Sequence, residues 1–236
     1  MATLYLIPTP LGAIPPDHAL PAETLRITAR LTHFIVENAK SARAFLKQVG
    51  TATPLQQLEL SDLNEHTPAH ALEALLTPLQ AGHDVGLLSE AGCPAIADPG
   101  APLVRLAHQR GITVKPLVGP SSIVLALMAS GLVGQRFTFH GYLPAKPEAR
   151  IQTIRDLERR SARDDAAQIF IETPYRNPAM LDALQMACHP DTLCSIACDL
   201  TLPGEHIHTC RIAELRIDTP ELNKRPCVFA LYRPNK

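Results

Sequence analysis

The sequence predicts an α/β protein of two domains, with a mostly parallel sheet in the N-terminal domain and a mixed sheet in the C-terminal one. Three observations lead there. Short apolar runs alternate with helix-spaced segments through the first half, the pattern of a parallel sheet covered by helices. "GLVGQ" (131–135) then interrupts the alternation. Finally, three strand-like runs with short links close the chain, which favours antiparallel pairing. The boundary is therefore placed near residue 134, giving domains 1–134 and 135–236.

The elements follow in order. "MATLYLIPTPLG" carries no basic leader and breaks at prolines too early for a signal peptide, so residues 3–9 read as the first strand. Further strands are expected at 32–38, 84–90 and 112–118, with a weaker one at 54–60. Helical spacing fills 20–30, 40–49, 68–81, 100–110 and 120–130; Asp98-Pro99 and Pro120-Ser121 are start signals for the last two. In the second half, strands are expected at 136–143, 167–173, 192–200, 204–212 and 226–233, and helices at 147–162 and 178–187.

Composition narrows the function classes. A formal charge of −1 argues against a surface dominated by nucleic-acid binding, while leaving room for a local basic patch. Zero tryptophan and 4% aromatics leave few platforms on which single-stranded bases would stack. No apolar run reaches the ~20 residues of a membrane span, so no membrane association is expected. The six cysteines include no C-x-x-C pair. Buried free thiols and a cytoplasmic location follow.

Three sharp loops follow first-half strands: "PTPLG" (8–12), "SEAGCPAIADPG" (89–100) and "VGPSS" (118–122). In a parallel sheet such loops gather along one rim, and ligands bind outside the carboxyl ends of the strands. The two standard phosphate grips, G-x-G-x-x-G and G-x-x-x-x-G-K-[ST], are missing. The second loop carries Glu90 and Asp98 and no cation. Small residues, exposed backbone and carboxylates suit a nucleoside that brings its own positive charge. S-adenosyl-L-methionine is such a molecule.

The strings "YLIPTPLG", "LLSEAGCPAIADPG", "PLVGPSSIVLALMASG", "FTFHGYLP" and "IFIETPYRN" occur in this order. Together they resemble the tetrapyrrole (corrin/porphyrin) methylase superfamily over nearly the whole chain. The closer likeness is to its branch that methylates a cytidine ribose 2′-oxygen in small-subunit ribosomal RNA. The resemblance implies two α/β domains with the cofactor cleft between them, in a homodimer. It implies cofactor contacts at Pro8, Glu90, Ala91, Gly92, Cys93, Ile96, Ser121 and Ser122, with Glu172 and Leu200 from the second domain. Glu90 stands where the branch has aspartate, and Cys93 where it has threonine.

The substrate side departs further from the branch. Its P-I-G-N-L loop here reads "PLGAIPPDHAL"; its E-D-T-R segment reads "ENAKSAR", keeping Glu37 and Arg43; its H-E-H-N segment reads "NEHT", keeping Glu65 and His66. The branch's enzymes usually continue beyond the point matching "FALYRPNK". A ribose hydroxyl is a poor nucleophile at neutral pH and calls for a base. Glu37, Glu65 and His66 are the catalytic candidates, each also readable as an ordinary strand-end or cap residue. The acceptor implied is RNA. Methylation of a small molecule such as a tetrapyrrole, and a cofactor-binding module without turnover, stay open.

Other features read as structural. His206 and His208 alternate on one strand, but no third ligand suggests itself and no metal is expected. His140, beside the presumed cleft, is read as a structural hydrogen-bonding residue rather than a substrate contact. The cations of 146–163 interleave with acids, which reads as a solvated helix rather than an RNA-facing stripe. Residues 1–134 hold 8 basic against 10 acidic side chains and residues 135–236 hold 14 against 13, so neither half is basic overall.

Overall fold

The computed structural model describes residues 2–215 and 221–234. It comprises two compact units, Met1–Ser121 and Ser122–Lys236.

In the first unit five strands form one sheet in the order β3-β2-β4-β1-β5, every pair parallel. They are β1 (Thr3–Ile7), β2 (His33–Val36), β3 (Glu59–Asp62), β4 (Val85–Leu88) and β5 (Thr113–Pro116). Period-two alternation sends neighbouring residues to opposite faces. Leu4, Ile35 and Leu87 join one core with Leu72, Leu76, Leu79 and Leu103. Those partners come from α3 (Leu72–Leu75) and α4 (Thr77–Gln80), the residue between them, and α5 (Ala101–Gln109). Tyr5, Ile7, Phe34 and Leu88 join a second core with Ile27, Ala42 and Leu46, from α1 (Ala22–Arg30) and α2 (Ala39–Val49).

Two expected elements differ. The strand expected at 54–60 forms at Glu59–Asp62, because Pro54 opens a single 3-10 turn over Leu55–Gln57. The helix expected at 68–81 is broken into a 3-10 turn, α3 and α4. Pro78 has no N–H to give an uninterrupted helix.

The second unit holds a five-stranded mixed sheet in the order β6-β7-β10-β8-β9. Its strands are β6 (Phe137–Tyr142), β7 (Ala167–Glu172), β8 (Leu193–Cys198), β9 (His206–Arg211) and β10 (Cys227–Tyr232). β6 and β7 are parallel; β10 runs antiparallel to β7 and β8, and β9 to β8. One face packs on α7 (Pro147–Asp164) and α8 (Asn177–Ala187) around the stacked rings of Phe170 and Phe229, 5.6 Å apart.

The other face carries α6 (Ser122–Ser130), which packs on β8, β9 and β10. The Thr209 hydroxyl, projecting from that face, donates to the Ser130 carbonyl at 2.9 Å. The division therefore falls between Ser121 and Ser122 rather than near 134. α6 follows β5 in sequence but finds its apolar partners on the second sheet, so packing overrides chain proximity.

Five of the six cysteines are buried in the second unit and all six are free thiols. Burial pushes the Cys188 thiol up to about 12, with the Glu158 carboxylate adding to the shift. No helix of the described residues is long and apolar enough to cross a membrane.

Candidate active site

All five carboxyl ends of the parallel sheet face one rim. From the adjacent strands β2 and β4 the chain leaves in opposite directions, through α2 towards β3 on one face and through α5 towards β5 on the other. Diverging connections open a crevice there. It holds a cavity of about 300 Å³, walled by Thr9, Pro10, Glu37, Asn38, Ser41, Ser89 and Glu90 among others. No lysine or arginine lines it.

The loops around the crevice are stapled to one another. Thr9 and Gly92 exchange two main-chain hydrogen bonds, at 3.0 and 3.1 Å. The Thr9 hydroxyl donates to the Ser89 carbonyl at 3.2 Å, and the Ser89 hydroxyl to the Gly92 carbonyl at 2.6 Å. Gly92 adopts a φ of 75°, open to glycine at little cost. The Cys93 thiol reaches the Pro120 carbonyl at 3.3 Å. Gly119 passes so close to Pro8 that an added Cβ would lie 2.4 Å from the proline Cβ.

Asp98 acts inside this loop rather than in the cavity wall. Its Oδ1 accepts from the Ala95 and Gly100 amides at 2.7 and 2.8 Å. Those bonds brace Ala95 and Ala97, which are held at φ values of 65° and 58°. Burial moves its pKa up despite the two donated N–H groups.

Glu37 and Glu90 are the carboxylates of the cavity wall. The Glu37 carboxyl is raised above the ordinary glutamate range, first by burial and then by repulsion from Glu90, Asp98 and Glu65. Glu90 Oε1 accepts from the Ser41 hydroxyl at 2.9 Å. Next in the wall, Asn38 caps α2: its Oδ1 accepts from the Lys40 amide at 2.9 Å and the Ser41 amide at 3.4 Å. Glu65 and His66 pair with each other at 3.5 Å, with side chains 85% and 86% exposed. Of the three base candidates, Glu37 is the one in the cavity wall and half withdrawn from water. A carboxylate placed there, with its proton affinity raised by burial and by neighbouring acids, suits proton uptake better than an ordinary exposed glutamate.

The sequence reading thus picks out residues that come together in this unit: Pro8, Glu37, Glu90, Gly92, Cys93 and the stretch up to Ser121. Ala91 and Ile96 lie exposed on the same loop. That reading did not single out Thr9, Ser89, Asn38 or Ser41, and it took Asp98 as a ligand-facing carboxylate where the structure has it bracing its own loop. Asn38 carried a legible signal, a capping residue directly before a helix-spaced run. Ser41 carried none, since its partner Glu90 is distant in sequence.

In the second unit Ser122 opens α6. Glu172 is buried, its Oε1 accepting from the Thr173 amide at 2.6 Å and Arg176 Nε at 2.8 Å, while Oε2 is buried without a partner. Leu200 is buried between Asp199 and Thr201, held at φ values of 49° and 69°. His140 Nε2 and Gln168 Oε1 share a hydrogen bond of 2.8 Å. His206 and His208 stack 6.2 Å apart on the edge strand β9. Among the described residues no group of three or more His, Cys, Asp or Glu is arranged to hold a metal ion. On α7, Arg159 pairs with Asp156 and Arg163 with Asp164, as expected for a solvated helix.

Comparison with known proteins agrees with this architecture. The chain is 38% identical over 174 residues to the ribosomal RNA small subunit methyltransferase I of Xylella fastidiosa, covering 74% of this chain and 59% of that protein. It is 32% identical over 213 residues to the same-named protein of Pasteurella multocida, covering 90% of this chain and 72% of the relative. Among solved structures, the methyltransferase CobJ superposes with a TM-score of 0.62 at 19% identity, over 99% of both chains. The cobalt precorrin-4 methyltransferase CbiF does so with a TM-score of 0.63 at 14% identity, over 98% of this chain and 94% of the other. At those identities the two structures speak for the fold alone. A model of the family "Tetrapyrrole (Corrin/Porphyrin) Methylases" matches residues 3–216. This chain belongs to the tetrapyrrole methylase family, in its ribosomal RNA methyltransferase branch.

Proposed function

We propose that this protein is an S-adenosylmethionine-dependent methyltransferase whose acceptor is a ribose 2′-oxygen of small-subunit ribosomal RNA. The observation that carries the reading is the crevice between β2 and β4, walled by two carboxylates and no cation. That wall fits a ligand bearing positive charge. The braced main chain of the 89–100 loop and the close approach at Gly119 fit a nucleoside held through backbone groups. Its volume lies at the lower end of the ~300–1,000 Å³ typical of small-molecule sites.

Bound S-adenosylmethionine would supply a methyl group on a cationic sulfur, ready for displacement by an oxygen nucleophile. The chain's own residues then have two tasks. Rim loops tied to one another hold the reacting partners in line, and positioning of this kind supplies much of the acceleration of a displacement. Glu37 takes the proton that the ribose hydroxyl loses as its oxygen bonds to carbon, while the carbon–sulfur electron pair stays on sulfur. A carboxylate raised by burial and by neighbouring acids is a better base than an ordinary glutamate. Glu65 and His66 remain outer candidates at the same rim, and Glu172, Leu200 and Ser122 are carried over as contacts from the family resemblance.

The test is transfer of labelled methyl to small-subunit ribosomal RNA, followed by nuclease digestion to find the label on ribose. Label on a small-molecule extract alone, or none with cofactor binding retained, overturns the RNA reading. We further propose a homodimer. α6 is apolar nearly all round, yet its Met128 is 73% exposed, and the family resemblance implies a dimer. Sedimentation at micromolar concentration should give twice the chain mass; a monomer there rejects it. Free thiols and a ribosomal acceptor both fit the cytoplasm.

A further inference from the structure

The eight Lys and Arg of residues 1–121 are unevenly placed. Arg26, Arg30 and Arg110 each pair with an acid, at 2.7, 4.0 and 2.7 Å. Three of the remaining five, Lys40, Arg43 and Lys47, lie on α2. None of the three is in an ion pair among the described residues, and α2 itself contains no Asp or Glu. Their spacing of i, i+3, i+7 stacks them along one face, and all three are exposed. Ala42 and Leu46, each one residue before Arg43 and Lys47, are buried on the adjoining side of the helix. Arg43 is further steadied by a hydrogen bond from Nη1 to the Leu55 carbonyl at 3.1 Å.

This stripe has a definite place relative to the cavity. Ser41, Ala44 and Gln48, which line it, repeat the same i, i+3, i+7 spacing one residue further on. One residue is about 100° around a helix, so the cationic row runs beside the cavity wall for about 10 Å. α7 differs: its cations are interleaved with acids of the same helix, and Arg159 and Arg163 pair with Asp156 and Asp164. A stripe without acids, parallel to the mouth of a cavity whose own wall is acidic, separates two attractions. Phosphates are drawn to the stripe and repelled from the cavity, while a positively charged ligand is drawn inside.

We propose that the Lys40–Arg43–Lys47 face of α2 is a track for the phosphate backbone of RNA, laying a strand along the cavity so that a ribose hydroxyl enters it. The inference rests on the RNA reading above and names the surface that reading lacks. Phosphate contacts of this kind position the strand without reading its sequence. Arg43 both holds the helix to the neighbouring turn and contributes charge, so Lys40 and Lys47 are the clean probes.

The experiment is binding of end-labelled, deproteinised small-subunit ribosomal RNA at several salt concentrations, by the full chain and by the double variant Lys40→Gln/Lys47→Gln. Each lost phosphate contact lowers the slope of log affinity against log salt by about 1. The double variant should lose about 2 units of slope and roughly ten- to fiftyfold in affinity near 0.1 M salt. S-adenosylmethionine affinity, read by calorimetry, should not change, and Lys40→Arg/Lys47→Arg should restore RNA binding. Unchanged slope in the double variant, with the parent chain binding and methylating RNA, overturns the track and leaves the RNA reading standing. A larger loss from Arg155→Gln/Arg160→Gln on α7 overturns it equally. No RNA binding by the parent chain brings down both.

Discussion

Gly92→Val is expected to lose S-adenosylmethionine binding by about 100-fold or more, the equivalent of about 2.7 kcal/mol. Two effects combine. Gly92 sits at a φ of 75°, which a β-branched residue reaches only with strain of about 1–3 kcal/mol. In addition, a Cβ there would lie 3.3 Å from Leu11 Cδ2 and 3.6 Å from the Pro120 carbonyl oxygen, in the seam between two rim loops. The variant relieves the strain by giving up the paired hydrogen bonds to Thr9, and that moves the backbone walls the cofactor would touch. Stability should fall too, lowering the melting temperature by several degrees while the fold survives. Gly92→Ala, with less bulk at the same φ, should fall between. Cofactor affinity within threefold of the parent in Gly92→Val would place the cofactor elsewhere.

Glu37→Gln is expected to lower methyl transfer by about 10²–10⁴-fold, the usual contribution of a positioned base. The parent's rate should rise with pH through the Glu37 pKa, so its acid limb lies above the ordinary glutamate range. Glu37→Gln should lack that limb. The two proteins should also differ in stability. Glu37 binds its proton more tightly in the folded state than in the unfolded chain. Its stabilising contribution is therefore present below the ordinary glutamate pKa and is lost as pH rises through the folded value. At neutral pH the amide avoids that loss, and Glu37→Gln should melt about 1–2 °C higher, a small gain because the site is partly screened. In acid the difference should vanish. Full turnover in Glu37→Gln with the acid limb intact would remove Glu37 from proton transfer. A loss confined to cofactor affinity would recast it as a counter-charge only.

Most of the architecture is legible in the sequence, and the departures from it have physical causes. The strands of the first sheet are short apolar runs with sharp Gly/Pro boundaries, so their period and length sufficed. The run at 54–60 misled because Pro54 and two glutamines build a turn out of residues with strand-like spacing. α6 follows β5 in sequence, while its packing partners lie in β8, β9 and β10. Among the base candidates, Glu37, Glu65 and His66 look alike as strand-end polar residues. The Glu65–His66 pair ends in solvent, and Glu37 ends in the cavity wall.

What the sequence determined by itself is local: the periods, the turn residues, the capping asparagine, and a set of loops rich in small residues and acids without cations. These depend on neighbours along the chain, and a single chain displays them. The tertiary structure alone decided which distant residues meet. It set Ser41 against Glu90, Thr9 against Gly92, and three other carboxylates close enough to Glu37 to raise its pKa. It also left one helix face with three cations beside an acidic cavity. Burial and Coulomb energy depend on distance through space, which the sheet order β3-β2-β4-β1-β5 sets and chain order does not.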